Sequence, residues 1–362
     1  MTTVAAERVE DVVAAVRSHR RVVPHGARTK APLIPGDADA ACIDLTPLSG
    51  VVEYDPGEFT FTALAGTRLA EIDALLARNG QHLPFDPPLA CDGATLGGTV
   101  AAGLNGSGRL RYGGVRDFII GVRLVDGTGR LVRGGGKVVK NAAGFDLPKL
   151  MVGSLGRLGV IVEVSFKVFP APPAWRTLRV TCGGIEDATA LVVSLGRLPL
   201  ELEALDIEPP DTVVIRVSGD DASLDAHAAR VGAATRRPYT VDKGEGEAAY
   251  WRGQRAFAWV APDAWLVKVP VTPRRLVALE WTLAALDVPR RYGVAGNVAW
   301  LAWPAGRPLA DFGRIGLSGL VVRGPSLDGA SPWLGPTPAG AALFAERVKR
   351  ALDPEGRLPA LV

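Results

Sequence analysis

Glycine and other small residues cluster at three places where a backbone could approach an anionic ligand. The first place is the turn Pro24-His25-Gly26-Ala27-Arg28-Thr29-Lys30, directly after the apolar pair Val22-Val23. Main-chain amides in such a turn can point at an anion, and Arg28 and Lys30 add positive charge. The pattern indicates a phosphate-binding loop, with an ordinary polar turn as the alternative.

The second and third stretches are richer in glycine. Residues 94–103 contain Thr95, Leu96, Gly97 and Gly98 and continue to Gly108. Paired glycines permit close approach to a flat or charged ligand, although a tight crossing in the core is the alternative. Residues 153–161 place three glycines three apart before a strand. The G-x-G-x-x-G dinucleotide motif needs the opposite order, strand before helix, so a Rossmann domain is disfavoured.

The composition excludes several functional classes. A net charge of +3 over 362 residues gives no electrostatic case for nucleic acid. The sequence shows no apolar run long enough for a transmembrane helix and no signal-peptide pattern, and its three cysteines (Cys42, Cys91, Cys182) lie far apart. We therefore expect a cytoplasmic protein without a disulfide framework or an iron–sulfur site. The four histidines form no metal-ligand pair, so we expect no metal and an organic cofactor.

Hydrophobic periodicity predicts the elements that must position these stretches in the first part of the chain. The expected elements are a helix at 7–19, a strand from Val22, a strand at 59–65, a helix from Leu69 to Leu76 ended by Asn79-Gly80, a hairpin around Asp126-Gly127-Thr128-Gly129 and a strand at 160–168.

Pro170, Pro172 and Pro173 break the pattern, and a domain boundary is placed there. Beyond it, six strand-like and three helical runs alternate, which predicts an α+β lid on a mixed or antiparallel sheet. Residues 324–338 are expected to form a linker before a last helix near 338–352. The predicted strands lie near 177–182, 202–207, 212–218, 265–271, 298–303 and 318–323, and the helices near 186–197, 221–233 and 274–286.

Taken in order, the three stretches resemble the FAD-binding domain of the vanillyl-alcohol-oxidase-type, or PCMH-type, flavoproteins. Within that family the sequence is most similar to the FAD-binding subunits of bacterial glycolate oxidase complexes. The resemblance covers about residues 20–172. The segments that carry the narrower likeness are 51–58, 66–69, 80–88, 115–122 and 140–154.

The resemblance implies an α+β fold with a two-subdomain FAD-binding domain at 1–172, an α+β lid at 173–335 and a C-terminal segment, 336–362, that returns to the FAD domain. The first loop would hold the pyrophosphate, the second stretch would lie along it, and the third would line the flavin and adenine path. The expected cofactor contacts are Pro24, His25, Gly26, Ala27, Arg28, Thr29, Lys30, Thr95, Leu96, Gly97, Gly98, Gly103, Asn105, Gly153, Ser154, Gly156, Gly159, Val160 and Ile161.

The first loop departs from the family pattern in two ways. Ala27 and Arg28 stand at positions where the family usually has glycine. Arg28 can pair with a phosphate, or its bulk can loosen the loop. Thr29 stands where covalent relatives carry the flavin-linking histidine, so we expect non-covalent FAD. His25 is interpreted as a contact to phosphate or to solvent.

A catalytic base is not identifiable from the sequence, and the catalytic residues stay unassigned. His227, the one histidine of the lid, is interpreted as solvated. Arg252, Arg255 and Lys268 could hold a substrate carboxylate, with surface charges as the alternative. Tryptophans concentrate after residue 250, which favours core packing and leaves a partner interface as the alternative.

The favoured interpretation is an FAD-binding subunit that works on a small 2-hydroxy acid beside a catalytic flavoprotein and an iron–sulfur subunit. It would lie in the cytoplasm, with association to the inner face of the membrane through partners left open. The alternatives are a stand-alone FAD-dependent 2-hydroxy-acid dehydrogenase and a structural subunit that has lost FAD.

Overall fold

The computed structural model describes residues 2–136, 146–327, 329–335 and 339–361. Residues 140–145 of the family-like run, and residues 328 and 336–338 of the predicted linker, lie outside the described residues. The described elements form two subdomains, then a lid built on a larger sheet, then a C-terminal helix and tail.

The first subdomain is a small parallel sheet with one helix. Its elements are β1 (Thr3–Ala5), α1 (Val9–Ser18), β2 (Val22–His25) and β3 (Ala41–Asp44), and the strand order is β1-β3-β2. Helix α1 confirms the predicted helix and buries Val12, Ala15 and Val16 as one stripe. Because β2 and β3 run parallel, with His25 opposite Asp44, the loops that follow them leave from the same edge.

The second subdomain is a five-stranded antiparallel sheet with order β4-β5-β9-β7-β8 in the described part of the chain. Short helices cover it, and β6 and β10 pair separately. In chain order its elements are β4 (Val51–Asp55), β5 (Thr60–Leu64), α2 (Leu69–Ala77), β6 (Gln81–His82), α3 (Leu96–Ala102), α4 (Arg109–Tyr112), α5 (Val115–Phe118), β7 (Ile119–Val125), β8 (Leu131–Gly135), α6 (Leu147–Met151), β9 (Val160–Lys167) and β10 (Phe169–Pro170).

The local predictions for this subdomain are confirmed. The hairpin β7–β8 turns through residues 126–130, where Asp126 Oδ1 accepts hydrogen bonds from the amides of Thr128 and Arg130. Strand β9 lies in the middle of the sheet, and Val160, Val162 and Phe166 are buried as the alternation predicts. Helix α3 was not predicted, because its glycine-rich sequence has low helix propensity.

The lid carries a nine-stranded sheet in the described residues, with order β14-β11-β13-β12-β16-β17-β15-β18-β19. All the strand pairings described in this sheet are antiparallel, so of the two predicted alternatives, mixed and antiparallel, the antiparallel sheet is the one observed. Its elements are β11 (Ala174–Thr181), α7 (Ile185–Leu195), β12 (Ala204–Glu208), β13 (Thr212–Gly219), α8 (Asp221–Thr235), β14 (Tyr239–Lys243), α9 (Gly244–Ala256), β15 (Trp265–Pro270), α10 (Pro273–Ala285), β16 (Arg290–Gly293), β17 (Val298–Trp303), α11 (Ala310–Arg314), β18 (Gly319–Arg323) and β19 (Trp333–Leu334).

The six strands and three helices predicted for the lid are confirmed, whereas β14, α9, β16, α11 and β19 were missed. The predicted linker is partly structured, since Trp333 in β19 pairs with Leu320 in β18. One face of the sheet packs on α7, α8 and α10. The other face reaches the core of the second subdomain through Leu266, Trp300 and Val322.

The chain ends against the first subdomain. Helix α12 (Ala339–Leu352) confirms the last predicted helix. After it, the carbonyl of Arg357 accepts a hydrogen bond from the amide of Val22 at 2.8 Å, and Leu358 is buried beside α1. The domain limits at 172 and 335 stay predictions.

Candidate cofactor site

The three small-residue stretches meet in one cleft between the two subdomains. The cleft is open to solvent and encloses about 700 Å³ of space not occupied by protein atoms. Leu45, which follows β3, lies at the same sheet edge as the loop after β2 and closes one side. The lining residues are Pro24, His25, Gly26, Ala27, Arg28, Thr29, Lys30, Leu33, Ile34, Leu45, Thr95, Gly97, Gly98, Ala101, Ala102, Leu155, Gly156, Gly159 and Ile161.

The loop after β2 presents unpaired main-chain donors to this cleft. Within the described residues, the amides of residues 26–30 have no hydrogen-bond acceptor. Arg28 has a φ of 57°, in the left-handed region, which turns successive amides toward a common side. A run of unpaired amides at the edge of a cleft is suited to bind the oxygens of an anion such as a diphosphate.

Lys30 supplies a buried positive charge at the same loop. Its side chain is 7% exposed, and Nζ donates to Thr29 Oγ1 at 3.1 Å. Burial lowers the pKa of Lys30 to about 8, and the charge of Asp92 only partly opposes this shift. No described carboxylate forms an ion pair with Lys30, so a bound anion would supply the missing counter-charge.

Arg28 is exposed, and its guanidinium contacts the imidazole of His25. Its Nη2 lies 2.8 Å from His25 Nε2 and its Nε lies 3.4 Å from His25 Nδ1, while Nδ1 also lies 3.0 Å from the carbonyl oxygen of Gly26. The imidazole thereby positions the Arg28 guanidinium beside the cleft that Arg28 lines.

The second stretch contributes close packing instead of free donors. Thr95 caps α3 and accepts the amide of Gly98 on Oγ1 at 3.3 Å, while the amides of Leu96 and Gly97 donate to Thr67 and Ala65. These three amides are therefore not available to a ligand, and the stretch can approach one only through its small side chains.

Glycine is required at two close contacts around α3. A Cβ at Gly97 would lie 2.7 Å from the Cβ of Ala65, and one at Gly26 would lie 2.3 Å from Thr95 Oγ1. The loop after β2 thus rests directly on the cap of α3. Leu96 points into the core and does not line the cleft.

In the third stretch, Leu155, Gly156, Gly159 and Ile161 line the cleft. Five other residues named as cofactor contacts do not line it, and their contact with the cofactor stays a prediction: Gly103, Asn105, Gly153, Ser154 and Val160.

These five residues have structural environments of their own. Gly103 ends α3, and Asn105 Oδ1 accepts the amide of Val115 at 2.7 Å. The amide of Gly153 donates to Val100, and Val160 lies in the core of the first subdomain. Ser154 Oγ is buried without a partner in the described part of the chain.

The apolar residues of the cleft were missed at the level of sequence. Leu33, Ile34 and Leu45 approach it from the first subdomain, and Ala101 and Ala102 from α3. A prediction of β3 as a parallel partner of β2 would have located Leu45, because both strands end at one edge.

The lid residues considered for catalysis are mostly occupied by structural contacts. His227 Nε2 lies 3.0 Å from the carbonyl oxygen of Leu200, so it is hydrogen-bonded rather than simply solvated. Arg252 pairs with Glu245, and Arg255 pairs with Asp86 at 2.9 Å. Lys268 has no ion-pair partner among the described residues; burial lowers its pKa to about 8, with Arg109 adding to the shift.

Comparison with known proteins identifies the cofactor. The model of the family described as "FAD binding domain" matches residues 2–135. Residues 2–135 are therefore similar to that family of FAD-binding domains. The unpaired amides at 26–30, buried Lys30 and the close packing at Gly97 fit the diphosphate of FAD.

Curated relatives are similar to this chain over part of its length. The glycolate oxidase subunit GlcE of Escherichia coli is 38% identical over 218 residues, which are 60% of this chain and 61% of that protein. A D-lactate dehydrogenase of Anaerostipes hadrus is 32% identical over 58% of this chain and 45% of its own length. The chain thus spans about half to six tenths of these relatives.

Solved structures extend the likeness to nearly the whole fold. Alkyldihydroxyacetonephosphate synthase superposes with a TM-score of 0.70 and 16% identity, covering 98% of this chain and 75% of that one. This agreement shows that the chain shares the fold of that protein over nearly its whole length. Every helix in the described residues is too short or too polar to cross a membrane.

Proposed function

We propose that this chain is an FAD-binding subunit of an oxidoreductase complex that oxidises a small 2-hydroxy acid. The cleft carries the proposal, because the unpaired amides at 26–30 and the buried Lys30 meet there, within the residues that match the FAD-binding family model. Relatives named as glycolate oxidase subunits and D-lactate dehydrogenases support the substrate class.

The residues of the first loop would hold the diphosphate. Amides 26–30 would donate to its oxygens, Lys30 would balance its charge, and Arg28, oriented by His25, would add a second cation. Thr29 offers no nucleophilic imidazole for a flavin link, so binding would be non-covalent. FAD, when bound, supplies the two-electron acceptor.

Electrons would have to leave through a partner. Cys42 and Cys182 are buried, Cys91 is exposed, and the described residues contain no cluster suited to a metal centre. The proposal therefore includes a catalytic flavoprotein and an iron–sulfur subunit, in keeping with two relatives that are named glycolate oxidase subunits. It places the assembly in the cytoplasm, with membrane association only through partners.

Two measurements test this proposal. The purified chain should show a flavin spectrum with about one FAD per chain, and acid precipitation should release all the flavin into the supernatant. A tagged chain co-expressed with its genomic neighbours should co-purify with a second flavoprotein and a cysteine-rich subunit. A colourless chain would refute FAD binding. Rapid turnover of glycolate by the isolated chain with a dye would favour the stand-alone dehydrogenase.

A further inference from the structure

The C-terminal tail, residues 353–361, contacts both subdomains that form the FAD cleft. On the first subdomain, the amide of Val22 donates to the carbonyl of Arg357 at 2.8 Å. On the second, Arg157 Nε donates to the carbonyl of Ala360 at 2.8 Å. The tail therefore joins the two subdomains through hydrogen bonds to main-chain groups of its own.

Both contacts lie next to residues of the cleft. Val22 begins β2, which leads into the loop at 24–30 that lines the cleft. Arg157 directly follows Gly156, another lining residue. Gly156 packs closely on that loop, because a Cβ there would lie 2.8 Å from Cγ of Pro24. A shift of the chain at Arg157 would therefore reach the loop through Gly156.

One ammonium group holds the tail against the second subdomain. Lys349 of α12 forms an ion pair with Asp353, with Nζ 2.6 Å from Oδ2. The same Nζ donates to three carbonyl oxygens, those of Arg157 at 2.8 Å, Leu358 at 3.1 Å and Pro359 at 2.9 Å. The Lys349 side chain is only 14% exposed, so water replaces few of these contacts. Burial lowers the pKa of Lys349, and the hydrogen bond and charge of Asp353 oppose that shift.

Asp353 fixes the turn of the tail around this ammonium group. Its Oδ1 accepts the amide of Arg357 at 2.8 Å, and its Oδ2 accepts the amide of Leu358 at 3.0 Å. Its side chain has no exposed surface. Without the Lys349 ammonium, Asp353 would be a buried carboxylate without a counter-charge, which is strongly unfavourable. The tail would then leave its place so that water could reach the carboxylate.

Arg157 is held by the tail and by α12 at two separate points. Its carbonyl accepts from Lys349, and its guanidinium donates to Ala360. Arg157 itself is 6% exposed. When the tail leaves, both contacts are affected together, and the backbone beside Gly156 loses its outer support.

We propose that Lys349 is a positioning residue for FAD, because by docking the tail it fixes Arg157 and β2 and so sets the two walls of the cleft. The proposal rests on FAD binding in this cleft, which is part of the proposed function. Coupling between two sites is reciprocal. Bound FAD should therefore also hold the tail in its docked position.

Titration of the FAD-free full chain with FAD tests the effect of the tail on the cleft. Lys349→Met should raise the Kd for FAD by about tenfold or more, since a cleft that is competent in about a tenth of the molecules binds about tenfold more weakly. The Kd is measured by fluorescence, and folding is checked by circular dichroism. An equal Kd in the wild type and in folded Lys349→Met would refute the proposal.

Glu280→Gln is the matched control for loss of stability. Glu280 is a buried carboxylate of α10 that accepts from Arg290 Nε at 2.6 Å, on the face of the lid sheet that packs on α7, α8 and α10. The variant should lower the urea midpoint, because it breaks a buried ion pair. It should leave the Kd for FAD unchanged. A rise in Kd equal to that of Lys349→Met would show that general destabilisation explains both, and would overturn the positioning role.

Arg157→Lys tests the same link with a smaller change if Lys349→Met does not fold. It keeps the positive charge and removes the Nε donor to Ala360. We expect a Kd for FAD about two- to tenfold higher, the equivalent of one hydrogen bond. A folded Arg157→Lys chain with the Kd of the wild type would refute the proposal.

Hydrogen exchange tests the reverse effect, which a merely structural role of Lys349 would not produce. In the wild type, FAD should slow exchange of the amides in the peptide 353–361 by about tenfold or more. Amides of β14, at the edge of the lid sheet in the described residues, are the internal control and should exchange equally with and without FAD. In FAD-free Lys349→Met the tail peptide should exchange faster than in the wild type. Exchange of the wild-type tail that FAD does not change would refute the coupling.

The outcomes separate this role from the proposed function. A wild-type chain that takes up no FAD refutes the proposed function, and the role of Lys349 falls with it. A wild-type chain that binds FAD, with an unchanged Kd in the folded variants, refutes the role of Lys349 alone.

Discussion

Lys30 gives the most direct test of how the FAD cleft is built. Replacing it with methionine keeps the length of the side chain and removes the charge. In the cofactor-free protein the ammonium group is buried with one neutral hydrogen bond, to Thr29. Lys30→Met should therefore stabilise the cofactor-free protein and weaken FAD binding, two effects of opposite sign.

The structure sets the size of the first effect. Burial lowers the pKa of Lys30 from 10.5 to about 8, which corresponds to about 3 kcal/mol of destabilisation by the charged form. Below pH 8 Lys30 carries its proton in both the folded and the unfolded chain, so the full destabilisation of the folded chain is present. Between pH 8 and 10.5 the unfolded chain binds more protons, so the stability of the wild type rises with pH. Above pH 10.5 Lys30 is neutral in both states, and the destabilisation disappears.

The second effect follows from the expected contact with a phosphate. Loss of a hydrogen bond to a charged group weakens binding by about 1.5–3 kcal/mol, or roughly 10- to 150-fold in Kd. Urea unfolding of the FAD-free proteins at pH 7 and at pH 10 measures the first effect. Fluorescence titration with FAD measures the second.

Lys243→Met at the exposed end of β14 is the control and should change neither quantity. Equal stability of FAD-free wild type and Lys30→Met at pH 7, with a flat pH dependence, would show that the ammonium group is solvated. An unchanged Kd for FAD would show that Lys30 does not face the phosphates.

Three further predictions concern the cleft. Gly98→Val should abolish FAD binding while the fold persists, because a Cβ there meets only Thr95 Oγ1, at 3.0 Å; wild-type FAD content would mean that the diphosphate lies elsewhere. Gly97→Val should instead destabilise the fold itself by about 1–3 kcal/mol or more, seen as a lower urea midpoint, because its Cβ would clash with Ala65. Arg28→Ala should weaken FAD binding by about 1.5–3 kcal/mol, seen as a higher Kd. Arg28→Gly should also stabilise the FAD-free chain by about 1–2 kcal/mol, because glycine relieves the left-handed φ of 57° at this position. An unchanged Kd for FAD in both variants would leave Arg28 without a cofactor role.

Elements with a strong local pattern could be predicted from the sequence. The spacing of Val12 and Val16 predicts α1, and the alternation from Val160 to Phe166 predicts β9, because burial of one face imposes a period on neighbouring residues. The order of the three small-residue stretches also indicated the FAD-binding family. Elements without such a pattern, such as α3 and β14, escaped prediction.

The candidate site was predicted only in part, because the type of a residue does not reveal which hydrogen-bond partner its main-chain amide has. The sequence predicted a close approach to a ligand at Gly97 and Gly98, but it did not indicate that the amides of Leu96 and Gly97 donate to Thr67 and Ala65. The amides of residues 26–30 have no hydrogen-bond acceptor in the described structure, and the sequence alone does not distinguish them from the paired amides of Leu96 and Gly97.

The sequence by itself determined the local periodicities, the glycine-rich stretches and their family resemblance, since these depend on residues close in the chain. Only the tertiary structure decided which groups face each other. Parallel pairing of β2 with β3 brings Leu45 to the loop at 26–30, and the lid brings Asp206 to Ser107, 99 residues away along the chain. Such contacts, like the paired or unpaired state of each donor and the burial of Lys30, depend on the packing of distant segments, which no local pattern records.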